Sequence, residues 1–153
     1  MPRSTLAALT ILAMLLASIL VTPTSTLAAT YDGSDPNTTG CASTARTIYS
    51  LDLSGRALVE LRYSTACRTT WARVTKYSSD SSNCTIGATG MQFNCVSARI
   101  TRKSDNQTYP CSTRANERSC YTKQVNDAGV TSFARGCYIF TPSNTYCRNT
   151  PSY

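Results

Sequence analysis

Apolar positions follow two regimes along this chain. From about Leu6 to Val21 they run together without a charge, and beyond residue 30 they recur in short alternating stretches between polar turns. Alternation with period two marks a strand that lays one face on a core. It is clearest from Ala57 to Ser64, where Val59, Leu61 and Tyr63 share one face and Glu60, Arg62 and Ser64 the other. Thr69 to Tyr77, rich in threonine, tryptophan and valine, predicts a second strand. Gln92 to Arg102 predicts a third, with Val96, Ala98 and Ile100 inward and Ser97, Arg99 and Thr101 outward. Shorter strands are predicted over Gln107 to Thr113 and Ser119 to Val125, and a longer one over Val130 to Phe140. Ser54-Gly55, Ser78 to Asn83, Ser104 to Gln107 and Asn126 to Gly129 supply the turns between them.

One segment departs from this rhythm. Ala42, Ala45, Ile48 and Tyr49 recur at a helical period and predict one short helix over Ala42 to Ser50; the tail from Thr141 reads as loop. No convincing internal repeat is present. The prediction is a mainly β domain, a small antiparallel barrel or sandwich with one short helix.

The first regime predicts an export signal over residues 1–29. Arg3 precedes the apolar run, Pro23 breaks it, and Thr26-Leu27-Ala28-Ala29 offers small residues for cleavage after Ala28 or Ala29. The run is short for a bilayer span of about 20 residues. The first cysteine is Cys41, too far on for a lipid anchor at the cleavage site, and no second apolar run follows. Residues 30–153 are then a single secreted domain, about 124 residues, enough for a modest core. Without Arg3 the 15 basic residues become 14 against 8 acidic, a net charge of about +6.

Export makes the cysteines legible. Cys41, Cys67, Cys84, Cys95, Cys111, Cys120, Cys137 and Cys147 are even in number, which predicts four disulfides. Zinc sites favour cysteine pairs two to four residues apart, often with histidine; here no gap is that short and histidine is absent. No metal or other cofactor is predicted. Spacing does not select a connectivity, although pairing neighbours in order is one simple arrangement (Cys41 with Cys67, Cys84 with Cys95, Cys111 with Cys120, Cys137 with Cys147).

The missing histidine also removes Ser-His-Asp and Cys-His nucleophiles, histidine-based ribonuclease chemistry and HExxH metalloproteases. Thiols held in disulfides cannot serve as nucleophiles, and no nucleotide-binding fingerprint occurs. Catalysis would rest on carboxylates. The candidates are Asp32, Asp35, Asp52, Glu60, Asp80, Asp105, Glu117 and Asp127. Glu60 lies on a predicted strand, where pairing with Arg73 or Arg99 is the simpler role. Asp32-Gly33-Ser34-Asp35-Pro36-Asn37 has the oxygens of a calcium loop without the spacing of a calcium-binding hand, and the same residues cap turns. Arg62, Arg73, Arg99 and Arg135 all fall on predicted strands, with Trp71 beside Arg73, and cross-strand alignment would gather them into a basic stripe.

The runs YDGSDPNTTGCASTARTIYS and VELRYSTACRTTWARV resemble the secreted bacterial YjfA-like family, a domain of unknown function also found behind helix-turn-helix regulators in actinobacteria. VNDAGVTSFARG is similar to that family's closing strand. The resemblance spans Tyr31 to Gly136 and is most specific from Asp32 to Val74. It implies that Cys41 and Cys67 pair as part of a shared framework and that the other six cysteines are additions. Thr44 stands where an acidic residue is expected in similar proteins. The family implies no activity.

Charge and compartment together predict a secreted, non-enzymatic domain. Its expected partner is an anionic wall polymer or polysaccharide, bound through Arg62, Arg73, Arg99 and Arg135 with Trp71 as a stacking surface. A carboxylate-based hydrolase acting on a wall glycan is the second reading, and a secreted toxin or antimicrobial protein the third. The latter lacks an amphipathic cationic helix. Ligand and oligomeric state stay open.

Overall fold

Antiparallel pairing organises the chain, as the alternation predicts. The structure is a computed structural model in which residues 31–153 are described; the predicted leader lies outside them. The strands are β1 (Ala45–Leu53), β2 (Ala57–Ser64), β3 (Thr69–Lys76), β4 (Thr85–Ile86), β5 (Gln92–Phe93), β6 (Cys95–Arg102), β7 (Thr108–Ser112), β8 (Ser119–Tyr121), β9 (Val125–Asn126), β10 (Ser132–Thr141) and β11 (Asn144–Asn149). One sheet runs β1-β2-β3-β8, with β9 also on β3; a second runs β11-β10-β6-β7; β4 and β5 form a small hairpin. The sheets do not close into a barrel. They stack as a sandwich, with β6 and β10 of one sheet against β2 and β3 of the other.

The core lies between the sheets. Val59, Leu61, Ala72 and Val74 of the first sheet meet Val96, Ala98, Ile100, Ala134 and Tyr138 of the second. These are the inward positions of the period-two pattern, and burying each larger aliphatic contributes about 1.5–3 kcal/mol.

Three readings of the sequence are corrected. The helix predicted over Ala42 to Ser50 is a single 3-10 turn, Cys41–Thr44, that runs directly into β1. Pairing with β2 turns Tyr49, Leu51 and Leu53 towards the core. That second, period-two pattern overlaps the helical one, and sheet pairing decides between them. The tail is not loop throughout. β11 pairs along β10, held by Cys137–Cys147, and its mostly exposed residues carry no alternation to read. The strand over Gln92 to Arg102 is interrupted at Asn94, whose φ of 55° is left-handed and ends the ladder between β5 and β6.

All eight cysteines are bonded: Cys41–Cys67, Cys84–Cys95, Cys111–Cys120 and Cys137–Cys147. Cys41–Cys67 ties the chain ahead of β1 to the β2–β3 turn, and Cys84–Cys95 closes the base of the β4–β5 hairpin. Cys111–Cys120 joins β7 to β8, and so one sheet to the other. No helix among the described residues is long and apolar enough to cross a membrane.

The two sheets approach closely at Gly136. A Cβ there would lie 2.4 Å from Cβ of Val59, far inside van der Waals contact. Gly136→Ala is therefore expected to lose about 1–3 kcal/mol to overpacking, read as a lower denaturant midpoint. Cys41–Cys67 closes the longest loop, 26 residues, and its removal by paired serine substitutions should cost about 2–4 kcal/mol. That loss should exceed the one at Cys137–Cys147 in parallel melts, because chain-entropy stabilisation grows with loop length.

Candidate functional site

The outward positions of the strands hold the arginines, on two separate faces. On the first sheet Glu60 stands opposite Arg73 and Arg62 opposite Trp71. Arg73 grips Glu60 with two hydrogen bonds, Nε to Oε2 at 2.5 Å and Nη2 to Oε1 at 2.9 Å. Thr47 donates to the same carboxylate at 2.8 Å. Burial of Glu60 pushes its carboxyl up, but the hydrogen bonds from Arg73 and Thr47 and the charges of Arg73 and Arg62 outweigh it, leaving the pKa lowered. Glu60 is thus held ionised, the pairing expected from the strand pattern. Arg62 donates to Thr47 Oγ1 at 2.6 Å and to the Ala45 carbonyl at 3.3 Å, and reaches Glu60 only at 3.8 Å. Its pKa is lowered, by burial first and then by the like charge of Arg73.

The chain ahead of β1 covers part of this face because Gln124 holds it there. Backbone bonds of 3.0 Å run from Gly33 to Gln124 and from Gln124 to Ser34. The buried Gln124 amide donates to Ser34 Oγ at 2.8 Å and Thr39 Oγ1 at 3.0 Å, while Thr69 donates to its oxygen at 2.6 Å. Between this segment and the sheet is a cleft of about 350 Å³ lined by Pro36, Asn37, Ala42, Arg62, Trp71, Arg73, Ser119 and Tyr121. Trp71 is only 4% exposed, so little of its ring is presented for stacking.

The proposed calcium loop has its carboxylates engaged. Asp32 accepts from Arg102 at 2.6 Å and from the Asn126 amide at 2.5 Å. Asp35 accepts from the Asn37 amide at 2.7 Å and from the Tyr121 hydroxyl at 3.2 Å. These are turn-capping and clamping roles.

On the second sheet Arg99 and Arg135 are direct cross-strand neighbours. Both are exposed. They line a cleft of about 360 Å³ with Ser97, Pro110, Ser112 and Cys137. The inward side of β6 and β10 is core, so this face looks away from Arg62 and Arg73. The four arginines form two pairs on opposite faces, not one stripe. Among the described residues neither Arg99 nor Arg135 is within ion-pair distance of a carboxylate.

A third charged cluster is interior. Lys76, its side chain wholly buried, lies 3.4 Å from the buried Asp80 and donates to the Ser82 and Asn94 carbonyls at 2.6 and 2.9 Å. Burial lowers the Lys76 pKa against the pull of Asp80. For Asp80 burial acts upward, yet hydrogen bonds from Ser82 and Tyr138 and the charge of Lys76 hold the carboxyl well below its ordinary range.

A family model described as Protein of unknown function (DUF2690) matches residues 29–135. Among curated proteins the chain is similar to the uncharacterized protein YjfA of Bacillus subtilis (strain 168), at 35% identity over 121 residues, covering 71% of this chain and 71% of that protein. No solved structure matches. The family match stops two residues short of Cys137 and takes in Arg62, Trp71, Arg73, Arg99 and Arg135.

Sequence reasoning missed Tyr121, Asn37 and Ser119 at the first cleft, because the fold-back of the chain ahead of β1 brings them there. It also missed the peculiarity of Asp127. This carboxyl is buried, with Oδ1 lacking a hydrogen-bond partner. Burial pushes its pKa up to about 6, against the pull of Ser132 and the Arg102 charge. A carboxyl raised in the folded state favours folding while protonated, below the unfolded value near 3.8, and that contribution is lost as pH rises through about 6. Asp127→Asn is expected to stabilise the protein at pH 7 by about 1–3 kcal/mol. The advantage should shrink on acidification and vanish below about pH 4, as measured by urea unfolding across that range.

Proposed function

The chain belongs to this DUF2690 family of proteins of unknown function, and from that premise we propose that it is an exported, disulfide-stabilised, non-enzymatic domain that binds an anionic polymer of the cell envelope. Arg99 and Arg135 carry the reading. Like charges directly opposite across a ladder destabilise a sheet, and here two guanidiniums face each other, exposed and without a carboxylate partner. An anionic ligand supplies the missing charge. The cleft they line is open and polar at Ser97 and Ser112, which suits a chain passing across the face. Arginine offers paired donors matched to phosphate, sulfate and carboxylate alike. The surplus of basic residues draws such a polymer in at low salt.

Four disulfides and no free cysteine fit an oxidising compartment. The carboxylates of the first face support a non-enzymatic role: Glu60, the one that sequence singled out, is held ionised by Arg73 and is unsuited to proton donation.

Chromatography on heparin and on immobilised wall polymer tests the proposal. The protein should be retained at low ionic strength and released by salt, since exposed charges are screened beyond about 10 Å at 0.1 M. Arg99→Gln/Arg135→Gln should bind about tenfold more weakly, about 1.4 kcal/mol, while melting at or above the parent temperature because the opposed like charges are gone. Passage through both resins at low salt overturns it.

A further inference from the structure

The first cleft has a charge balance of its own, on the face opposite Arg99 and Arg135. Arg62 and Arg73 bring two positive charges to it, and Glu60 beneath them brings one negative charge. Glu60 is spent on Arg73 in a two-point grip, and Arg62, its side chain 18% exposed, stays at 3.8 Å. Neutral acceptors, Thr47 and the Ala45 carbonyl, take its other contacts. A guanidinium so shielded from water and so incompletely paired is costly. One further negative charge in the cleft would complete the set. Nη1 of Arg73 makes no hydrogen bond to any described residue and is turned to no other acceptor among them. Asp35 also stands at this rim, bonded to two lining residues. It is committed to the Asn37 amide and the Tyr121 hydroxyl, beyond ion-pair distance of either arginine.

The remaining lining combines an exposed ring with uncommitted polar side chains. The Tyr121 ring is 41% exposed and can take the apolar face of a pyranose. The Asn37 amide and Ser119 hydroxyl side chains are exposed and make no hydrogen bond to any described residue, so they can meet ring hydroxyls. A volume of about 350 Å³ stands at the small end of ligand pockets, which run from about 300 to 1,000 Å³. We propose that the cleft between residues 36–42 and the outer face of β2, β3 and β8 binds a single carboxylate-bearing sugar residue. Its carboxylate meets Arg62 and Arg73, and its ring lies against Tyr121 between Asn37 and Ser119. This site is separate from the polymer face and does not depend on it.

Titration of the protein with glucuronate at low salt, followed by amide NMR shifts, tests the assignment. Glucose and the methyl ester of glucuronic acid are the neutral controls, and inorganic phosphate the compact anion. Saturable shifts centred on Asn37, Ser119 and Tyr121 are expected with glucuronate only. Asn37→Ala/Ser119→Ala removes side chains that hold nothing else in the fold. It should weaken binding about tenfold, the worth of two modest hydrogen bonds, while leaving heparin retention unchanged. Arg62→Lys, which keeps the charge and loses the fork, should also weaken it. The assignment is overturned if glucuronate gives no saturable shifts, if glucose or phosphate binds as well, or if Arg99→Gln/Arg135→Gln abolishes the response. Loss of heparin retention in that double variant with glucuronate binding intact would separate the two faces.

Discussion

The approach of the two sheets at Gly136 and Val59 is the constraint on which the rest of the molecule is built. Where a Cβ would fall 2.4 Å from its neighbour, only glycine is admitted; Ala98 stands opposite it, and Ala57, Ala72 and Ala134 are further small residues of the same core. Close sheets leave little apolar volume between them, and Tyr138 is the largest side chain fully buried. Its hydroxyl needs a partner at that depth, and Asp80 accepts from it at 2.6 Å. Asp80 in turn needs a cation, which Lys76 supplies. A thin core thus leads step by step to a buried ion pair. The covalent bridges fasten the loop ahead of β1, a hairpin base, the seam between the two sheets and an edge strand.

Two arginine pairs of the same composition behave differently because of what stands beside them. Glu60 lies two residues from Arg62 on the same strand face and directly opposite Arg73, so the first face is partly neutralised from within. No acid falls on the outward positions of β6 and β10, so Arg99 and Arg135 keep their full charge towards solvent. Placement of a single glutamate separates a covered, polar cleft from an open cationic one.

The parts of this fold that were legible in the sequence are those with one buried face. β2, β3, β6 and β10 carry alternating residues because one side of each strand meets the core, and their turns, apart from Thr65 to Arg68 between β2 and β3, are marked by Gly, Asn, Asp and Ser. β11 has no such face and left no pattern. β1 carries two overlapping patterns, and the helical one concealed Tyr49, Leu51 and Leu53. The even cysteine number pointed to four bridges, but spacing did not select their partners; the fold pairs neighbours in order. The candidate sites were half legible. Strand assignment located each arginine on an outward position, but the sheet that each strand joins decides whether they meet. That information resides in topology, as does the docking of residues 31–41 through Gln124, a residue with nothing in its sequence neighbourhood to mark it.

The bridges join each cysteine to the next in line, with no bridge enclosing or crossing another. For a chain that emerges amino terminus first, each native partner is also the first free thiol to arrive. Oxidation can then keep step with emergence, one closed loop after another, and the native set is reached without reshuffling.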